Sequence, residues 1–252
     1  MKDSKKVYQK YRYFLKDSIR KTIDFSQTDQ NRGITAPPLE KPYPKDAEKV
    51  DLIIEDWETR YDYSLAEAIK NRKSQRSFTK TEISLEELSF LLWATQGVRQ
   101  VAGPYAFRNV PSAGCRHALE TYLAVFNVEH LDMGVYRYLP LTHQLLLEFR
   151  KEDLRNEMIT ATFGQRFAGE SAVTFIWTAI PYRMEWRYGL DSHKVIAMDA
   201  GHVGQNMYLT CEAIGAGTCT IGAYDQEYLD ELLGVDGEDE FAIYLAAVGK
   251  KD

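Results

Sequence analysis

Arg72, Ser74 and Arg76 stand at alternate positions in the stretch NRKSQRSF, with Lys73 between the first two. Guanidinium groups beside a hydroxyl suit an oxyanion. A phosphate takes forked, charge-assisted bonds and a neutral one from such a set. Read as a helical turn, positions 72 and 76 share one face. The same residues also suit a solvated helix end, where cations meet the dipole. The whole chain has formal net charge −6, so this basic spot runs against its surroundings.

Two more stretches could do chemistry. In NVPSAGCRHALE, Pro111 restricts its own backbone and its predecessor's. Ser112, Ala113 and Gly114 are small and would let the backbone come close to a flat ring. The alternative is a plain turn, with Ser112 capping a helix CRHALE. In AIGAGTCTIGAYD the glycines follow a helix pattern and precede a strand pattern. A dinucleotide fingerprint needs the reverse order, and Gly222 lies too far from Gly215 and Gly217. A Rossmann site is therefore excluded, and the alternative is a helix C-cap leading into a strand.

The elements that must position these residues follow from local signals. VYQKYRYFLKDSIRK has helical spacing at Val7, Tyr11, Phe14 and Leu15. Residues 25–48 are polar and Pro-rich, which reads as an extended or wrapping arm. We expect an N-terminal helix and arm over residues 1–60 and a body over 61–252. Ser64 with Glu67, and Ser84 with Glu87, have capping-box spacing before apolar runs. Gly97 closes the second of these helices. TYLAVFNV and SAVTFIWTAI read as strands, and GVYRYL with QLLLEF as a hairpin. KEDLRNEMITATF reads as a helix, and a long helix from Ser192 ends at Gly215. CTIGA is a short strand or turn, Asp225 caps a helix ending at Gly234, and FAIYLAAVG is the last strand. Without strict βαβ alternation the pattern favours an α+β fold.

Composition narrows the function. The acidic balance argues against a nucleic-acid binder. No apolar run approaches the roughly 20 residues of a membrane span, so no membrane partner is expected. Cys115, Cys211 and Cys219 cannot all pair, and none has zinc-ligand spacing, so no metal site is expected. A cytoplasmic location follows as an expectation. No Ser-His-Asp set or carboxylate pair stands out among the few histidines.

Taken in order, the three stretches resemble the nitroreductase-like FMN flavoproteins over roughly Tyr61 to Lys250. Arg72, Ser74 and Arg76, with Lys73, are similar to that family's Arg-x-Ser-x-Arg phosphate grip. Pro111, Ser112, Ala113 and Gly114 resemble its loop under the flavin ring. Gly215, Ala216 and Gly217 resemble its Gly-Leu-Gly turn, followed by Thr220, Ile221, Gly222 and Ala223 facing the flavin. Lys250 resembles a basic phosphate ligand after the last strand. Within the family, PSAGCRHALETYLAV, MGVYRYLPLTHQLLLE and WRYGLDSHKVIAMDAGHVGQN resemble the SagB-type dehydrogenases.

The resemblance implies a nitroreductase-like α+β fold. It has a central, mostly antiparallel sheet flanked by helices and is an intertwined homodimer. It implies FMN as cofactor, NADH or NADPH as a candidate reductant, and ping-pong hydride transfer to a small organic substrate. The Gly222 N–H is the implied donor to flavin N5. Tyr188 matches the catalytic Tyr of the azoline-oxidising members, but Arg187 replaces their Lys. An arginine does not act as a proton-accepting base, so azoline oxidation is the alternative activity. A non-catalytic flavin-binding partner subunit is a third reading, and a fold that has lost its cofactor a fourth. His202 is read as packed, solvent-facing or touching substrate. Arg116 is read as a phosphate, partner or capping residue, and Cys115 as flavin-near or inert. Tyr182, Trp186 and Tyr188 are read as core or lid.

Overall fold

The computed structural model describes residues 2–251, with only the backbone of residues 2–5. Seven strands form one sheet: β1 (Lys49–Asp51), β4 (Leu119–Val125), β5 (Gly134–Leu139), β6 (Gln144–Arg150), β7 (Val173–Ala179), β8 (Ala216–Ile221) and β9 (Phe241–Lys250). Their order is β1-β6-β5-β4-β7-β9-β8, and every neighbouring pair is antiparallel. β2 (Val98–Ala102) and β3 (Tyr105–Arg108) make a separate hairpin. The helices are α1 (Lys2–Tyr11), α2 (Trp57–Arg60), α3 (Leu65–Asn71), α4 (Leu85–Gln96), α5 (Leu154–Ala161), α6 (Phe167–Glu170), α7 (Tyr182–Tyr188), α8 (Ser192–Ala213) and α9 (Gln226–Leu233).

The central strands bury both faces, and their period of two sorts the core. Leu123, Phe175, Trp177, Ala246 and Val248 face Leu88 and Leu91 of α4 and Val203 and Met207 of α8. Tyr122, Ala124, Ile176, Leu245 and Ala247 face Leu154 and Met158 of α5 and Leu229 and Leu233 of α9. The result is a sheet between two helical layers. Each fully buried Leu or Phe contributes about 1.5–3 kcal/mol.

Most local signals hold. Ser84 and Glu87 form the complete capping box, and Gly97 caps α4. Asp225 accepts from the Tyr228 N–H, and Gly234 ends α9 in the left-handed region. Gly215 follows α8 with φ +64.

Three expectations are corrected. Arg72 and Arg76 do not lie on a helical turn. α3 stops at Asn71, and Arg72 has φ −53 and ψ 131. The following chain runs extended beside the sheet: the Gln75 N–H donates to the Thr218 carbonyl at 2.9 Å, and the Thr79 N–H to the Lys250 carbonyl at 2.9 Å. On this extended segment Arg72 and Ser74 both meet Tyr208 of α8, while Arg76 reaches Phe167 of α6. Gly217 and Gly249 make the docking possible. A Cβ at either would come within 2.7 Å of Gln75 or 2.8 Å of Phe78.

The expected helix CRHALE is a single 3-10 turn, Ala113–Cys115, and Leu119 already belongs to β4. Positive φ values at Gly114, Cys115 and His117 prevent a helix there. The helix expected from Val7 to Leu15 gives way after Tyr11 to 3-10 turns.

The Pro-rich arm is bound to the body by buried side chains. Arg137 donates to the carbonyls of Lys41 and Pro42 at 2.8 and 3.2 Å, and Arg108 to that of Leu39 at 3.2 Å. Further back, the Trp186 indole donates to the Ile34 carbonyl at 2.9 Å, so the arm covers α7.

Candidate functional site

The basic segment meets α8 and β8 at Tyr208. The Tyr208 hydroxyl lies 2.9 Å from Ser74 Oγ and 3.2 Å from Thr220 Oγ1, and accepts from the Thr220 N–H at 3.2 Å. The Arg72 guanidinium lies over the Tyr208 ring, 5.2 Å from its centroid. That of Arg76 lies over Phe167 at 5.9 Å. Arg72, Lys73 and Arg76 form no ion pair among the described residues. Arg72 Nε is buried and has no hydrogen-bond partner among the described residues. Such a donor is costly unless an acceptor completes it. An incoming oxyanion would do so.

β8 leads from this cluster to an open backbone. Ile221 is buried in the core, but Gly222 and Ala223 are exposed. A Cβ at Gly222 would meet nothing within 4 Å, so its backbone is accessible to a flat molecule. The Ala223 carbonyl is held by Gln165 Nε2 at 2.9 Å.

The Pro-Ser loop and α7 form another wall. A Cβ on Gly114 would lie 2.6 Å from Tyr188 Oη and 2.8 Å from Arg187 Nε. Only glycine allows both side chains to close on the loop there, and φ +59 favours glycine for the same position. Ser112 Oγ accepts from the His117 N–H at 3.0 Å. Burial, with Arg108 adding to it, pushes the His117 imidazole down to about 3, so the ring is neutral at physiological pH.

Four candidates are engaged by other parts of the fold. Lys250 donates to Glu87 and, at 2.8 Å, to the Ile214 carbonyl, so its ammonium is committed within the fold. Arg116 donates to the carbonyls of Arg183 and Pro104 at 2.9 and 3.2 Å, with its guanidinium 4.7 Å above Trp186. Trp186 is buried beneath the arm, and the Tyr182 hydroxyl donates to Asp29 at 2.8 Å. His202 is exposed, with Nδ1 4.0 Å from Asp199. Cys115 is free and half-buried, and Lys73 is exposed.

Tyr208 was missed from the sequence. It sits one residue after the core position Met207, and only a contact distant in sequence gives its hydroxyl a purpose. Among the described residues no metal-ligating cluster occurs, and no helix is long and apolar enough to cross a membrane.

Comparison with known proteins agrees with this fold. Residues 69–250 match the model of the Nitroreductase family. A Methanocaldococcus jannaschii protein with the provisional name nitroreductase is 32% identical over 187 residues, 74% of this chain and 91% of that protein. A crystal structure from Ralstonia eutropha, also provisionally a nitroreductase, is 26% identical with a TM-score of 0.68, covering 86% of this chain and 99% of the other. A third, from Anabaena variabilis, has a TM-score of 0.69 at 25% identity and covers 82% of this chain. This chain spans only 42% of the Anabaena protein's length.

Proposed function

The chain belongs to the nitroreductase family, and from that premise we propose that it is an FMN-dependent oxidoreductase transferring hydride between the flavin and a small organic substrate. The observation that carries this reading is the unpaired, buried Arg72 Nε beside Ser74, in line along β8 with the open backbone of Gly222. Arg72, Ser74 and Arg76, with Lys73 at the rim, would hold the phosphate. Ala113 and Gly114 would lie against the ring, with the Gly222 N–H aimed at N5. When bound, FMN supplies the hydride chemistry. The chain's part is to bind, orient and keep the ring dry on one side. Nitroarenes and quinones are the proposed acceptors, with NADH or NADPH as reductant.

The test is direct. Purified protein should be yellow and release FMN on denaturation. Under anaerobic conditions NADH or NADPH should bleach it, and a nitroarene or quinone should restore the colour in a separate step, as ping-pong turnover requires. Protein that takes up no FMN would end the proposal. Protein that keeps FMN but is bleached by neither nicotinamide would point to a partner subunit without turnover of its own.

A second reading, a SagB-type dehydrogenase, is favoured by one observation: Tyr188 and Arg187 converge on Gly114. Arg187→Lys would then gain azoline oxidation, and an unchanged variant would count against it. We also propose a homodimer. Leu65, Ile69 and Met198 are exposed by 64%, 58% and 54% on α3 and α8, an apolar face suited to a second copy. Light scattering at the monomer mass would contradict it. Three free thiols among the described residues suit the reducing cytoplasm we propose as its location.

A further inference from the structure

Asp199 is an acid buried in α8 to which the proposed reaction gives no role. It lies within the segment WRYGLDSHKVIAMDAGHVGQN, and only 6% of its surface is exposed. Its carboxyl lies near Ser112 and Ala113 of the Pro-Ser loop. Its Oδ2 has no partner among the described residues. With Gln96, Ser112, His117 and Val203 it lines a gap of about 10 Å³ under the Pro-Ser loop. Burial holds the acid above the usual carboxylate range. A leucine would fill this place at lower cost, so packing does not account for the acid.

The loop above it does. Ser112 Oγ accepts from the His117 N–H, which leaves the hydroxyl proton free for an acceptor such as the neighbouring Asp199 carboxyl. Between these bonds the chain holds positive φ at Gly114 (59°), Cys115 (53°) and His117 (47°). Two of the three are not glycine. Backbone of this kind persists only where its surroundings over-determine it.

We infer that Asp199 is a positioning residue: its carboxyl accepts from Ser112 and Ala113 and fixes the strained Pro-Ser loop in the form that packs one side of the site. The consequence for FMN rests on the flavin reading, but the loop geometry does not. Titration is not needed for this role, because either protonation state keeps acceptor lone pairs. The groups around the carboxyl are His202 on its own helix, Gln96 of α4, and Ser112, Ala113 and His117 on the loop.

The experiment reads the loop directly, by amide hydrogen exchange followed by NMR on the full chain without added flavin. In Asp199→Ala the Ala113 and His117 amides should exchange roughly tenfold faster or more, as loss of a buried hydrogen bond implies. α4 and β4 should stay protected. Asp199→Asn, whose carbonyl still accepts, should restore slow exchange. Equal loop exchange in Asp199→Ala and wild type would overturn the inference. So would Asp199→Asn exchanging as fast as Asp199→Ala, which would assign the effect to charge. If Asp199→Ala does not fold, Ser112→Ala replaces it. His117 should then exchange faster while Ala113 stays slow, and an unchanged His117 amide would overturn the inference. FMN titration separates the two proposals. Wild type that binds no FMN defeats the functional reading alone. Wild type and Asp199→Ala binding FMN equally, with a loosened loop, would remove the loop from the ring site and overturn the inference as stated.

Discussion

Two sets of cations divide this molecule. Around the arm and the middle of the sheet, four cations are paired with acids. Arg183 pairs with Glu120, Arg137 with Glu148 at 2.7 Å, and Lys41 and Lys250 with Glu240 and Glu87. Along the β8 edge, Arg72 and Arg76 lie over aromatic rings, Lys73 is exposed, and none of the three meets an acid among the described residues. The chain has 37 acidic residues to 31 basic ones, so acids are not scarce. The difference teaches that the first set holds the fold together, and the second keeps bonding capacity for something from outside.

The largest expected effect breaks the second set. Arg72→Ala with Arg76→Ala should lower FMN affinity by about 100-fold or more, as loss of two charge-assisted bonds implies. Fluorescence titration measures it, and the melting temperature of the flavin-free protein should scarcely change. Next comes His117, buried near Arg108, Arg116 and Arg183. Its pKa is depressed to about 3. Its stabilising effect is therefore complete above the usual histidine range and is lost as pH falls towards the depressed value. Between pH 7 and 4.5 the loss should be about 2–3 kcal/mol. His117→Asn, which tolerates positive φ, should flatten that part of the denaturation profile. Asp199, raised by burial, shifts stability in the opposite sense in both proteins and drops out of the difference.

Lys250→Met sharpens the contrast. It should cost about 1–2 kcal/mol in urea unfolding, because Glu87 loses its ammonium. FMN affinity should stay as it was, and a large loss of affinity would move Lys250 into the second set. The smallest expected effect is Gly222→Ala. A Cβ there meets nothing, so stability should change by no more than about 0.5 kcal/mol. Flavin affinity should fall several-fold, since the methyl enters the space the ring needs.

What the sequence revealed follows the range of its signals. Caps at Ser84, Asp225 and Gly234 act within one turn, and the β5–β6 hairpin closes over a few residues, so both were readable. The segment from Arg72 to Phe78 was not. Its bonding partners are on β8 and β9, far along the chain, and four-residue spacing alone suggested a helix. The residue types of the proposed phosphate grip could be named from the sequence, but their backbone could not. Tyr208 and the constraint on the Pro-Ser loop needed tertiary contacts to be seen. Lys250 matched a motif by position, but Glu87 takes its charge, and no spacing rule announces that pairing.

The central claim is that Arg72 and Arg76 grip a phosphate. It is tested most directly by titrating FMN and riboflavin, which lacks the phosphate, into wild type and the Arg72→Ala/Arg76→Ala variant. The account predicts that wild type prefers FMN by about 100-fold or more and that the variant binds both weakly and alike. Equal binding of the two flavins by wild type, or a preference for FMN that survives in the variant, would contradict it.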